Sequence, residues 1–247
     1  MLTFSPNLHF HFPLLTTSLR LRISVKPPQK SSEESKKRMA ANGTINGAPT
    51  APDATSTTNR PKPLTLRRPS NHLGALTPPP PSFFAGRWHI THSTLPIWRD
   101  KRNVTITYHL RPSPDSSTPP QLDDVVEFQT QSGEKVKQVK GTQSERDPSG
   151  KEGASWNWHG KGLIKVASAH WELLGWGGED EDDQWMVTYF VKTVFTPEGI
   201  NVYSRRPGGT SEELLEEIQR ALVMTEHPGL ERLAAELYEI KSDGRRE

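Results

Sequence analysis

From residue 83 onward, apolar and polar positions alternate with the two-residue period of a half-buried strand. Phe83 and Phe84 lead into a segment in which Trp88, Ile90 and His92 face one way and Arg87, His89 and Thr91 the other. The same alternation predicts further strands over 103–110, 125–130, 135–141, 163–167, 170–174, 185–195 and 200–205. Trp156 and Trp158 flank the approach to 163–167, after a polar loop over 142–154. Ser132-Gly133 and Thr196-Pro197-Glu198-Gly199 are turn sequences between neighbours. The connector 95–102 is the exception among the loops, because Leu95, Ile97 and Trp98 make it apolar, and it is expected to fold back as a lid or plug.

After Pro207-Gly208-Gly209 the period lengthens to that of a helix. Ser211 is a capping residue, Glu212 and Glu213 suit the positive end of the dipole, and Leu214, Leu215, Ile218, Ala221 and Leu222 form one stripe. His227-Pro228-Gly229 breaks the helix, and a second amphipathic piece is predicted over 230–240. Eight sequential antiparallel strands followed by helix predict a mainly β fold, an eight-stranded up-and-down barrel. Closure removes the exposed edges that an open sheet or a sandwich would keep.

Composition divides the chain near position 82. Of the 22 prolines, 13 lie at or before Pro81, whereas all 7 tryptophans lie from Trp88 to Trp185. Residues 1–81 are therefore expected to be a disordered, Pro-rich tail, 82–207 the barrel, and 208–247 a helical segment packed on it. The first 80 residues carry 11 Lys+Arg and 3 Asp+Glu; the rest carry 20 and 26. An acidic folded part is poorly suited to tracking phosphates, so no nucleic-acid role is expected of it. The basic, Ser/Thr-dotted residues 1–32 resemble a mitochondrial transit peptide; alternatively Met39 is the start and the product is cytoplasmic. The absence of cysteine excludes disulfides and thiolate chemistry and suits a reducing compartment. No apolar run reaches the ~20 residues of a membrane span.

Gly86-Arg87-Trp88 at the first strand, the strand count, Arg205 or Arg206 at the end of the last strand and the trailing helix resemble the lipocalin and calycin superfamily over roughly residues 83–225. The resemblance implies that Trp88 closes the barrel floor with Arg205 or Arg206 packed across it. Without a cysteine pair or a secretory signal, the chain resembles the intracellular, lipocalin-like proteins rather than secreted carriers.

On that reading Trp88, Ile90, His92, Val104, Ile106 and Tyr108 point inward, as do Trp171, Trp185, Val187, Tyr189 and Tyr203. Such a lining suits a small apolar or aromatic molecule, with His92, Trp98, Tyr108, Trp171, Tyr189 and Tyr203 as the candidate ligand-binding residues. In 170–174 the apolar parity sends Trp171 and Leu173 inward and leaves His170 and Glu172 in water. His89 and His92 point to opposite faces of a strand, so they cannot share a metal ion, and neither metal nor cofactor is expected. Two alternatives stand beside the carrier: a cofactor-independent isomerase or cyclase using His92, Tyr108 and Tyr189, and a scaffold whose barrel is filled by its own side chains.

Overall fold

The computed structural model describes residues 63–69, 77–112, 119–146, 155–194 and 196–244. The expected transit peptide, the start at Met39 and most of the Pro-rich tail lie outside them. Eight antiparallel strands follow one another in meander order: β1 Gly86–Ser93, β2 Lys101–Leu110, β3 Gln121–Thr130, β4 Lys137–Glu145, β5 Ser155–Gly160, β6 Ser168–Gly177, β7 Trp185–Phe190 and β8 Gly199–Ser204. β8 pairs back onto β1, so the sheet closes into a barrel. Helices α1 Glu212–Met224 and α2 Pro228–Glu236 follow, then a two-residue strand β9 Tyr238–Glu239. Among the described residues no helix is long and apolar enough to cross a membrane.

Several boundaries differ from the sequence pattern. The fifth strand holds Trp156 and Trp158 themselves, while 163–167 falls in a connection containing a short 3-10 turn, Gly162–Ile164. β4 runs on to Glu145, because 142–145 pairs with β5. β7 stops at Phe190, and the second helix ends at Glu236, after which the chain is extended.

The floor is the most tightly built region. Phe83 and Phe84 turn across the barrel end and Trp88 is fully buried, its indole N–H donating to the Phe84 carbonyl at 2.9 Å. The Arg205 guanidinium lies 3.8 Å from the centre of the Trp88 ring and donates to the carbonyls of Phe83, Ala85 and Arg87. Arg206 instead points out to Asp183. Gly86 has φ +92°, and a Cβ there would sit 3.0 Å from Arg205 Nη1, so the glycine before the tryptophan makes room for the arginine.

Strands β7 and β8 are buried on both faces. Met186 and Tyr203 belong to the barrel core, whereas Trp185, Val187, Tyr189, Ile200 and Val202 pack with Ile218, Leu222, Leu230 and Leu233 of the two helices. Trp185, Val187 and Tyr189 are therefore outside the barrel, a correction to the expected inward set. With both faces covered, 185–190 is apolar in either parity and the pattern cannot choose between them. The Ser211 hydroxyl caps α1 as expected, accepting from Leu214 N–H.

Two flanking segments complete the barrel. Beyond His89, β1 leaves β2, and residues 238–241 fill the gap: Ile240 N–H donates to Thr91 O at 2.7 Å and Asn103 N–H to Lys241 O at 2.9 Å. The Ile240 side chain joins Ile90 and Val104 in the core. Asn103, in a left-handed conformation (φ 51°), donates through its amide to Asp243 and accepts from the Asp243 N–H.

At the other terminus, Leu66 and Arg67 are buried against β6. Arg67 N–H donates to Leu174 O, and the Arg67 guanidinium pairs with Glu172 at 3.0 Å, both side chains nearly inaccessible. This corrects two expectations. Residues 63–69 and 77–81 belong with the barrel rather than a tail, and Glu172, though on the outer face, is not in water. The prolines around this stretch hide an apolar anchor, Leu66, and a cation, Arg67, that cover β6.

Candidate functional site

Strands alternate in direction, so the connections β1–β2, β3–β4, β5–β6 and β7–β8 all meet at the end opposite the floor. This end is the mouth. The apolar connector between β1 and β2 folds over it. Leu95 is buried, Pro96–Trp98 forms a 3-10 turn, and the Trp98 ring stands edge-on to Phe128 with centroids 6.4 Å apart. Tyr238 holds the connector from the far side by donating to Leu95 O. The Trp98 indole N–H is buried and has no hydrogen-bond partner among the described residues. Phe128, Val139, Trp158 and Phe190 line the mouth beneath it, half-buried against the core.

Below this rim, β3 turns Leu122, Asp124, Val126 and Phe128 inward. Asp124 is a carboxylate inside the barrel, 1% exposed. It accepts from Trp158 Nε1 at 3.0 Å and from Gln143 Nε2 at 3.2 Å, and Gln143 Oε1 in turn accepts from Trp171 Nε1 at 2.9 Å. Burial pushes Asp124 up to about 7, against the two hydrogen bonds that favour its charged form. Gly141 allows this network: a Cβ there would lie 1.9 Å from Trp158 Nε1.

Trp158 also lines an open recess of about 260 Å³ with Asn157, Ala169, His170 and Thr193. That volume is near the lower limit of small-molecule pockets, enough for a single ring system and too small for a long lipid chain. His170 stands at its edge, its ring nitrogens 3.1 Å from Asn157 Oδ1 and 3.3 Å from Ser155 Oγ. The recess offers an aromatic face and polar side chains from the outer side of β5 and β6; Asp124, inside the barrel, is not among the residues that line it.

Three of the predicted residues come together in the interior. Tyr108 and Tyr203 are buried in the core, and burial raises both hydroxyls, with Asp124 adding to the rise. Trp171 stacks on Trp156, centroids 5.9 Å apart and planes 13° from parallel. Trp98 covers the mouth. The other two are elsewhere. A bulge between Ile90 and His92 reverses the parity of β1, so Ser93 is buried and His92 lies in a separate recess of about 80 Å³ beside Glu239 and Pro207. Burial lowers the pKa of that histidine, Glu239 opposing. Tyr189, on the outer face of β7, donates to Glu198 at 2.8 Å. His92, Tyr108 and Tyr189 thus stand in three different places and do not form one acid/base set.

Asp124, Gln143 and Trp158 are additions to the expected site. The signal was present for Asp124: started at Gln121 rather than Val125, the third strand puts a carboxylate in the same parity as Leu122, Val126 and Phe128.

No protein-family model and no curated protein sequence matches the chain. Among solved structures it is similar to insecticyanin of the tobacco hornworm Manduca sexta, at 13% identity and a TM-score of 0.49, covering 74% of this chain and 86% of insecticyanin. It is also similar to the amine-binding protein of Rhodnius prolixus solved with tryptamine (12%, 0.46, 72% and 86%) and to apocrustacyanin C2 (13%, 0.45, 66% and 79%). The order of the strands, their closure and the stacking of Arg205 on Trp88, rather than these similarities, make this a lipocalin-like barrel.

Proposed function

We propose that the protein binds a small aromatic or apolar molecule at the mouth of the barrel, in a reducing, intracellular setting that the lack of cysteine supports. The ligand stacks on Trp158 and directs a hydrogen-bonding group toward Asp124, with the Trp98 connector closing over it. The observation that carries this reading is the set of half-buried aromatic rings at the mouth beneath the apolar Trp98 connector; the Trp98 N–H has no partner among the described residues, as is also true of the Trp156 N–H in the filled interior. A filled floor limits the ligand to the upper part of the barrel, so the scaffold reading retains support from the packing of Phe84, Trp88, Trp156 and Trp171.

Calorimetric titration of the full chain with indoles, aromatic amines, short fatty acids and a retinoid tests it. Saturable binding of at least one compound is expected, weakened about tenfold or more by Trp158→Ala, the range for loss of one well-packed aromatic contact. Silence across the panel, or binding that Trp158→Ala and Gly141→Leu both leave intact, would favour the scaffold.

A further inference from the structure

The stretch 163–167 has a strand-like apolar pattern, yet it is neither strand nor core. Leu163 is 98% exposed and Val166 89%, and in the neighbouring β7–β8 connection Val194 is 93% exposed. Ile97 of the β1–β2 connection is also exposed. A single exposed apolar residue is ordinary. Here four stand on three loops, and the topology brings all three loops to one end of the barrel.

The same loops are basic. Lys161, Lys165 and Lys192 lie in the β5–β6 and β7–β8 connections, Lys135 lies in the β3–β4 connection that meets them at this end, Lys137 opens β4, and all five are exposed. Their acidic residues are Asp100, paired with Lys101, Glu134, facing Arg102, and Glu198, held by Tyr189 and Arg232. Lys161 shares its charge with Asp123. The opposite end of the barrel carries the acidic run Glu179-Asp180-Glu181-Asp182-Asp183 in the β6–β7 connection. One end thus combines protruding aliphatic side chains with lysines, and the other carries this acidic run, of which Asp183 pairs with Arg206.

We infer that the mouth docks on an anionic lipid membrane. Lysines attract the negative leaflet within a Debye length, and the aliphatic tips bury in the boundary between headgroups and acyl chains. The acidic end is repelled, so the barrel stands with its mouth on the membrane. A protein partner would be expected to meet a continuous packed apolar patch; separate aliphatic tips interspersed with lysines instead match a soft, negatively charged surface. The inference does not rest on the ligand reading, because docking requires no occupant in the barrel.

Vesicle co-sedimentation of the full chain tests it, using 70:30 phosphatidylcholine:phosphatidylserine against pure phosphatidylcholine. Binding to the anionic vesicles is expected, falling about tenfold or more in Leu163→Glu/Val194→Glu and in Lys161→Glu/Lys165→Glu, and falling with added salt. Met224→Glu, at an exposed position on α1, should leave it unchanged. These positions are exposed, and unaltered melting temperatures will show that the variants remain folded.

The natural chain has no cysteine, so Val166→Cys and Leu110→Cys each give a single labelling site, one at either end of the barrel. An environment-sensitive dye should shift to the blue on anionic vesicles at Val166→Cys only. Equal binding by both double variants, as when the basic residues before position 80 supply the attraction, would overturn the assignment. So would the absence of vesicle binding, or a blue shift at Leu110→Cys alone.

Discussion

At the floor, Phe84, Trp88, Trp156 and Trp171 are each no more than 2% exposed; at the mouth, Trp98, Phe128, Trp158 and Phe190 are half-buried. The residue types are the same and their surroundings are not. Trp88 is fixed by a carbonyl under its N–H and a guanidinium on its face, and the guanidinium is itself held by three backbone carbonyls. Trp98 sits on a loop and its N–H, like that of Trp156, has no partner among the described residues, and Trp158 leans on a carboxylate that burial pushes up to about 7. Aromatic rings at one end are closed off on every side, and at the other they stay half-exposed around the connector.

The largest expected effect is at the floor. Trp88→Ala should cost about 3–5 kcal/mol in urea melts, as for an aromatic truncated in a core. A loss below about 1 kcal/mol would erase the contrast between the ends. Arg205→Ala should cost less, about 2–3 kcal/mol, from the lost cation–π contact and its carbonyl bonds. Because the two groups touch, the double variant should lose less than the sum of the singles.

Asp124 gives the next effect, and it depends on pH. Its folded pKa lies above its unfolded one, so between about pH 4 and pH 7 the unfolded chain gives up its proton first and stability falls as pH rises. Asp124→Asn keeps an acceptor for Trp158 and cannot ionise. It should therefore be more stable than the natural chain at pH 8, by about 1–3 kcal/mol, with the difference vanishing near pH 4. A constant difference across thermal melts from pH 4 to pH 8 would mean that Asp124 is not titrating inside the barrel.

The smallest effect should come from Trp98→Ala. A half-buried loop residue is expected to change stability by under about 1 kcal/mol while weakening any ligand bound beneath it, which calorimetry measures separately from the melt. A loss comparable to Trp88→Ala would make Trp98 a structural plug rather than a lid.

The strand count, the closure and the partnership of Trp88 with a C-terminal arginine were legible because each rests on local alternation or on a short motif with a fixed geometric use. The site was less legible for three physical reasons. The bulge after Ile90 reverses parity without any glycine or proline to announce it, and it carries His92 away. The helices cover β7 and β8 from outside, so Tyr189 looks as buried in the sequence as an inward residue. Asp124 breaks the apolar pattern at the very position where the barrel needs a polar group, and a strand started late conceals it. The 163–167 segment misleads in the opposite sense, since its aliphatic residues alternate without a core to receive them.

The strap of residues 238–241 has a consequence for how the protein is made. These residues are translated after all eight strands and both helices, yet they supply the hydrogen bonds that join β1 to β2 at the mouth, and Ile240 fills the core between them. A nascent chain can therefore pair its strands on the ribosome but cannot seal this seam until synthesis has passed Lys241. Until then, Thr91 and Asn103 present unpaired backbone groups along an open edge, the kind that other chains can pair with. The strap is thus the last piece of a barrel that β8 has already closed onto β1: it completes the β1–β2 seam beyond His89.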